Sequence, residues 1–348
     1  MTASRASYLM EPRRIEFQDE ARPAPGPGEV LIELTAVGVC GSDVHWYLDG
    51  RIGTTRLEGP LTLGHEPAGR VVEVGAGADP ALKGKRVAIE PAIACGHCPF
   101  CQDGDTNLCP HVRFMGTPPT QGAFRQWTTH PAHLVAELPA TVSDEVGALL
   151  EPLAIAIHAT DLLKPRAGAT WAIVGAGPIG LCALEAVKLT GPGCVMIVEP
   201  LEYRRALARS MGADVVLAPE QDDLAAAVAR ATGGYGADYV IEAAGKPASF
   251  ELMTQVARPG AKIAVVGIDP HDRFGFNNSV GRRKGLTLYM VRRSRRTLER
   301  AIAITAAGRW RPDPIITHRR PFGDLARSLE RVAGFEDGVI KTIIDPRR

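Results

Sequence analysis

Several features that would place this chain in a specialised class are missing. Its 348 residues carry 40 Lys and Arg against 39 Asp and Glu, so the formal net charge is only +1. A protein that works mainly on nucleic acid or an anionic membrane is usually more basic. No run of about 18 apolar residues suggests a membrane span. Residues 1–15 are charged and lack the apolar stretch of a secretory signal. We expect no nucleic-acid or membrane partner.

The composition is otherwise that of an ordinary globular protein. Hydrophobic residues make up 45% and charged residues 23%, which argues against disorder. The length suggests about two domains. Seven cysteines are an odd number, and four of them lie between Cys95 and Cys109. Without a signal peptide, this pattern favours metal binding over disulfides and predicts a reducing, cytoplasmic location.

The two halves of the chain differ in their predicted secondary structure. Short strand-like segments at 29–34, 70–75 and 85–89 are bounded by Gly or Pro and predict a β-rich, barrel-like domain. From about Glu151, strand-like and helical segments alternate, which predicts βαβ units with a parallel sheet. A last strand is expected at 339–344 and resembles the first half. The β/α block is therefore interpreted as an insertion.

Four cysteines form a compact cluster in a loop rich in Gly and Pro. Their spacing is C-x2-C-x2-C-x7-C, which suits one tetrahedral zinc ion. With four thiolates there is no open coordination position, so this zinc would be structural. An iron–sulfur cluster uses the same ligands and is the less favoured alternative. The four predicted ligands are Cys95, Cys98, Cys101 and Cys109.

A second group of metal-ligand types is spread more widely along the chain. Cys40, His65, Glu66 and Glu151 could hold a zinc ion with room for water or substrate. Spacing alone supports this site weakly, since such residues are more often unrelated.

A dinucleotide-binding fingerprint follows the apolar segment 171–174. It has the form G-x-G-x-x-G and opens a helix, which is the context that this motif requires. The glycines permit a tight turn and close approach of a pyrophosphate to the helix N-terminus. The predicted contacts are Gly175, Gly177, Pro178, Ile179 and Gly180.

Glu199 ends the next apolar segment, nineteen residues after Gly180. A carboxylate at this position accepts hydrogen bonds from the adenosine ribose and repels a 2′-phosphate, which favours NAD over NADP. Arg204 and Arg205 weaken this preference, because an arginine can pair with that phosphate.

The order of these motifs resembles that of the zinc-containing medium-chain dehydrogenases, over nearly the whole chain. Within that superfamily the sequence looks most like the polyol (sorbitol and xylitol) dehydrogenases. The segments that carry this resemblance are 39–53, Gly116-Thr117-Pro118-Pro119 and Glu151-Pro152-Leu153.

The resemblance implies an α/β plus β fold, in which a GroES-like β-rich catalytic domain contains an inserted Rossmann domain with a doubly wound parallel sheet. The implied bounds are 1–153, with a zinc lobe at about 92–112, then 154–290 for the Rossmann domain and 291–348 for the return. Two zinc ions per chain are implied. The catalytic one would use Cys40, His65, Glu66 and Glu151, with Glu66 or Glu151 binding either directly or through water.

The implied reaction oxidises a secondary alcohol bound to zinc and passes its hydride to NAD. Ser42 would hand the alcohol proton on towards His45, and Asp43 would orient His65. Glu66 and Glu151 are also expected to be catalytic residues, together with Ser42 and His45. A homotetramer is expected only from the resemblance.

The substrate is expected to be a small polyol. Candidate pocket residues are Trp46, Tyr47, Phe114, Thr117 and Arg293. Polyol enzymes often have an Arg-Tyr pair at the position of the arginine-rich segment 292–296. Arginine binds carboxylates through paired hydrogen bonds. L-Threonine, 2,3-butanediol and sugar acids are alternative substrates, because their dehydrogenases share the zinc and Rossmann parts and differ only in the pocket. An NAD-binding regulator without activity is an alternative of another class.

Overall fold

The computed structural model describes residues 3–269 and 272–348, and these divide into two compact units. The first unit comprises the described parts of Met1–Glu151, Leu298–Gly308 and Pro312–Arg348. The second comprises those of Pro152–Thr297 and Arg309–Arg311. The chain thus leaves the first unit, builds the second and returns. The bounds that the resemblance implied differ at three places: residues 152–153, 291–297 and 309–311 lie in the second unit.

The first unit is built mainly from short strands. They are β1 (Ala3–Glu11), β2 (Arg14–Ala21), β3 (Glu29–Gly38), β4 (Arg51–Ile52), β5 (Thr55–Arg56), β6 (Glu66–Val74), β7 (Arg86–Ile89), β8 (Ala92–Ile93), β9 (Arg113–Phe114), β10 (Trp127–Pro131) and β11 (Val135–Glu137). Three helices follow or interrupt them: α1 (Gly41–Asp49), α2 (Pro99–Gln102) and α3 (Asp144–Leu163), which continues into the second unit.

The second unit alternates strands and helices, as expected from its sequence. Its elements are β12 (Thr170–Val174), α4 (Pro178–Lys188), β13 (Cys194–Val198), α5 (Glu202–Ser210), β14 (Val215–Leu217), α6 (Leu224–Thr232), β15 (Ala237–Glu242), α7 (Pro247–Val256), β16 (Ala257–Val265), α8 (Asn278–Lys284) and β17 (Thr287–Met290). The strands form one parallel sheet in the order β14-β13-β12-β15-β16-β17. This is the doubly wound order, with β12 at the position where the winding reverses.

The returning chain completes the sheet of the first unit. It forms α9 (Leu298–Ala306), β18 (Ile316–Pro321), α10 (Leu325–Gly334) and β19 (Lys341–Asp345). The sheet order is β11-β7-β6-β3-β19-β18, and β10 also pairs with β3. The predicted last strand is thus confirmed, and it lies directly beside β3.

Burial explains why these segments are ordered. Eight of the ten residues of β3 are buried, because other strands flank it on both sides. The apolar side chains of β3 and β6 pack with those of α1 into the core of the first unit. The second unit has its own core, formed by its central strands and the helices that cover them. Each unit therefore has an apolar interior to hold its functional loops in place.

Helix α3 is long and apolar enough to cross a membrane by length and composition, although the sequence shows no continuous apolar run that predicts a membrane span. However, 78% of its most apolar window is buried inside the protein. The core helix of a folded protein has the same property, and α3 is therefore interpreted as a core helix.

Candidate active site

The first cluster lies where β3 ends and α1 begins. Cys40 immediately precedes α1, and Ser42, Asp43 and His45 lie in its first turns. The amide of Cys40 donates to Asp43 Oδ2 at 2.9 Å, which fixes the entry of the chain into the helix. Ser42 and His45 are three residues apart and so share a helix face.

Asp43 also holds the loop that carries His65. Its carboxylate is fully buried, and Oδ1 accepts the amide of Gly64 at 2.9 Å. The same oxygen lies 3.5 Å from His65 Nδ1, whereas Ser42 Oγ lies 3.3 Å from Nε2. Asp43 is therefore placed to orient the ring of His65, which is the role that the family resemblance implies for it. Burial favours the neutral ring, but the charges of Asp43 and Cys40 outweigh burial and raise the pKa of His65.

Three of the predicted catalytic metal ligands come together. One ligand atom each from Cys40, His65 and Glu66 lies within 4.8 Å of the others. A thiolate, an imidazole and a carboxylate form a suitable donor set for zinc, and three protein ligands leave a fourth position open. The chemistry of these donors therefore fits a catalytic zinc ion.

Glu151 is not a member of this three-residue group. It is buried and is the last residue of the first stretch of chain in the first unit. Burial raises its pKa to about 8. The charges of His65 and Glu66 also act on it, in opposite directions. Glu151 is thus close enough to interact electrostatically with the group, while Glu66 is the carboxylate that belongs to it.

Lys341 is the main polar contact of Glu66, and sequence reasoning gave it no role. Both side chains are 1% exposed. Lys341 Nζ donates to the two carboxylate oxygens of Glu66 at 2.8 and 2.6 Å, and to the carbonyl oxygen of Val39 at 3.0 Å. A lysine in the mainly apolar segment 339–344 was the available signal, because a buried ammonium needs a buried carboxylate.

One wall beside His65 is formed by Phe114. The ring centroids of the two residues are 5.2 Å apart. Gly116 follows in a left-handed conformation (φ 71°), and a Cβ there would lie 3.1 Å from the backbone of Gly64. This close approach holds the segment with Phe114 and Thr117 against the His65 loop, and their role as pocket residues stays a prediction.

Trp46 and Tyr47 have other roles. Both are buried in the hydrophobic core of the first unit. The hydroxyl of Tyr47 donates to Glu330 Oε1 at 2.9 Å, and burial raises the pKa of Tyr47 to about 12. Their packing gives no support to the prediction that they line the substrate pocket.

The four-cysteine lobe is held by the short hairpin of β8 and β9. One Sγ from each of the four predicted cysteines lies within 4.8 Å of the others, as a tetrahedral zinc site requires. The backbone amide of His97 lowers the pKa of Cys95 to about 6, whereas burial raises that of Cys101 to about 12. The cluster is therefore preassembled within the predicted lobe at 92–112.

In the second unit, the glycine motif forms the tight turn that its pattern predicts. Gly175 is left-handed (φ 100°), and a Cβ on Gly180 would lie 1.9 Å from the carbonyl oxygen of Gly175. Gly177 caps α4, which begins at Pro178 and includes Ile179 in its first turn. The free amides of this helix N-terminus suit a pyrophosphate.

Glu199 is buried beside this turn. Its carboxylate accepts the amides of Ala176 at 2.7 Å and Leu201 at 3.0 Å. Since a carboxylate has about four acceptor positions, it can still accept hydroxyl groups. Glu199 thus connects the glycine turn to the place where a ribose is expected.

Arg204 and Arg205, which follow Glu199, lie in different environments. Arg205 is buried and donates to the carbonyl oxygens of Glu199 and Pro200, which makes it a structural residue. Arg204 lies beside the glycine turn, since its Nη1 is 3.6 Å from where a Cβ of Gly177 would be. Arg293, in the same unit, has a left-handed backbone (φ 53°) in the loop after β17.

The chain matches two family models. Residues 26–140 match the alcohol dehydrogenase GroES-like domain, and residues 178–307 match the zinc-binding dehydrogenase domain. Fold, site and these matches define a zinc-type alcohol dehydrogenase.

Curated relatives agree with this class. The chain is 34% identical to sorbitol dehydrogenase of Bacillus subtilis (strain 168), with 99% of this chain and 98% of the relative covered. It is 34% identical to D-xylulose reductase of Saccharomyces cerevisiae, with 99% and 98% covered. It is 37% identical to L-threonine 3-dehydrogenase of Pyrococcus furiosus, with 85% of each covered. The chain belongs to the zinc-containing medium-chain dehydrogenase family, on its polyol dehydrogenase branch.

Solved structures share the fold over the full length. An Escherichia coli oxidoreductase of unknown specificity is 33% identical with a TM-score of 0.93, and 99% of both chains is covered. A Sinorhizobium meliloti zinc-binding dehydrogenase bound to NADP is 29% identical (TM-score 0.90; 99% and 100% covered). An Escherichia coli alcohol dehydrogenase bound to NADH is 26% identical (TM-score 0.91; 99% and 100% covered). The predicted family, fold class and dehydrogenase activity are confirmed.

Proposed function

We propose that this protein oxidises a secondary alcohol of a polyol to a ketose and transfers the hydride to NAD. The observation that carries this proposal is the group of Cys40, His65 and Glu66, with the Ser42 hydroxyl 3.3 Å from His65 Nε2. Zinc held by such ligands supplies a Lewis acid that favours loss of the alcohol proton.

The residues around this group handle the proton. Ser42 can accept a proton and release another, because a hydroxyl is both donor and acceptor. His45 lies on the same face of α1, half-buried, and is the residue we assign to release that proton to solvent. Asp43 keeps His65 oriented throughout.

We propose two zinc ions per chain. The second is bound by Cys95, Cys98, Cys101 and Cys109 and has a structural role, since four thiolates fill its coordination. Glu151 remains a candidate ligand through water, given its buried position near Glu66.

NAD is the proposed cofactor. The buried carboxylate of Glu199 next to the glycine turn disfavours a 2′-phosphate. Arg204 beside Gly177 acts in the opposite direction. Since related structures hold NADP in one case and NADH in another, the ratio of activity with the two cofactors is the informative measurement.

The polyol class is supported by the similarity to sorbitol dehydrogenase and D-xylulose reductase. An alternative is a substrate with a carboxylate, such as L-threonine or a sugar acid. The similarity to L-threonine 3-dehydrogenase and the arginines at 292–296 favour it. The tetramer and the cytoplasmic location stay predictions.

The test is NADH formation by zinc-loaded protein with sorbitol, xylitol, galactitol, arabitol, 2,3-butanediol, L-threonine and sugar acids. We expect turnover with polyols and a preference for NAD. Cys40→Ser should remove most of the activity, because it replaces one of the three protein ligands of the catalytic zinc, while Cys194→Ser, a cysteine of β13 in the second unit, should retain it. Turnover of carboxylated substrates alone would replace the polyol proposal with the alternative.

A further inference from the structure

A cavity of about 260 Å³ lies at the amino-terminal edge of the parallel sheet in the second unit. The strands β12, β15 and β16 begin there, whereas the glycine turn follows the other end of β12. Five residues of strand separate the two ends by roughly 17 Å. The cavity is therefore distinct from the dinucleotide turn. Its lining residues are Lys164, Arg166, Asp238, Tyr239, Arg258, Gly260 and Lys262.

The lining is strongly cationic. Two lysines and two arginines face one carboxylate, that of Asp238. Asp238 Oδ1 accepts Arg258 Nε at 2.7 Å, and Oδ2 accepts both the amide and the hydroxyl of Thr170 at 2.8 Å. Asp238 thus offsets about one of the four positive charges. A formal charge of about +3 is concentrated around one small cavity.

The cations have more donors than their neighbours use. Lys262 gives one N–H to the carbonyl oxygen of Leu163 at 3.1 Å. Arg258 gives a further N–H to that of Pro259 at 2.9 Å. A lysine has three N–H donors and an arginine has five. Lys164 and Arg166 are exposed, and the Arg166 guanidinium lies 3.7 Å from Asp238.

We propose that this cavity binds a phosphate dianion, either free or as a phosphomonoester. Arginine and lysine together suit phosphate, since arginine supplies paired donors and lysine a mobile point charge. The volume equals several water molecules at about 30 Å³ each, which is enough for one phosphate group. Binding would relieve the repulsion among the four cations.

The test is calorimetric titration with inorganic phosphate at constant ionic strength, balanced with chloride, with and without saturating NADH. We expect one saturable site that NADH does not block. The variant Lys164→Ala/Arg166→Ala should weaken it at least tenfold. Both positions are exposed, so the fold should survive, and circular dichroism checks this.

The matched control is Arg230→Ala/Arg283→Ala, which removes two exposed arginines of the same unit that do not line the cavity. It should bind phosphate as the wild type does. Glycerol phosphate forms a second arm: tighter binding than inorganic phosphate identifies a phosphomonoester as the ligand, and equal binding identifies free phosphate. Absence of saturable binding, or equal losses in both double variants, would overturn the proposal.

Discussion

Replacing Lys341 by methionine should strongly destabilise the zinc-free protein. Methionine has similar length but lacks the ammonium group that holds Glu66. Since Glu66 is 1% exposed, its carboxylate would lose two hydrogen bonds of 2.8 and 2.6 Å without gaining water. The carbonyl oxygen of Val39 would lose its 3.0 Å bond as well.

Removing one partner of a buried ion pair costs about 3–5 kcal/mol, because the remaining charge is left unpaired in a medium of low polarity. We expect a loss of this size for Lys341→Met. The double variant Lys341→Met/Glu66→Gln should recover a large part, because it removes both charges of this ion pair and leaves neither one unpaired. Zinc should also reduce the loss, since Glu66 would then have the metal as a partner.

The assay is urea unfolding of the chelator-treated protein, followed by circular dichroism and read as the free energy of unfolding. The control is Lys85→Met, which breaks an exposed ion pair with Glu137 and should cost about 0–1 kcal/mol. A loss for Lys341→Met no larger than that for Lys85→Met would show that the buried ion pair of Lys341 and Glu66 does not stabilise the fold.

Three further predictions follow from single residues. Burial lowers the pKa of His130 to about 4, so the unfolded state binds the proton first as pH falls below about 6.5. The free energy of unfolding should therefore drop by about 2 kcal/mol between pH 7 and 5. In urea titrations, His130→Gln should flatten this pH dependence, while the exposed His111→Gln should not. Gly180→Ala places a Cβ 1.9 Å from a backbone oxygen and should weaken NADH binding in a fluorescence titration, whereas Gly275→Ala, with open space around its Cβ, should not. Glu199→Gln should lower the ratio of kcat/KM for NAD over NADP by about tenfold or more, since it removes a charge that accepts hydrogen bonds; an unchanged ratio would show that Arg204 or another group sets the preference.

Local motifs could be predicted from the sequence because their residues interact within one loop. The cysteine lobe and the glycine turn are of this kind, since the chain between their members is short. The strand and helix that flank Gly175 were also correctly anticipated, because strand, turn and helix follow each other directly.

The catalytic group could not be derived from spacing. Cys40 and His65 are 25 positions apart and meet because β3 and β6 pair, with Gly38 opposite Glu66. Only the family resemblance brought them together in advance. Lys341 was missed for the same reason, since its partner Glu66 is 275 positions away. Trp46 and Tyr47 were expected in the pocket, but the apolar face of α1 directs them into the core.

Two separate groups of residues should each hold one zinc ion, and only one of these ions should support oxidation. The decisive measurement is the zinc content per chain, together with NADH formation, for the wild type, Cys40→Ser and Cys101→Ser. We expect two zinc ions in the wild type and one in each variant, with Cys40→Ser inactive although its structural zinc remains. Two zinc ions in Cys40→Ser, or full activity of a protein that lacks the zinc at Cys40, would contradict this assignment of the two sites.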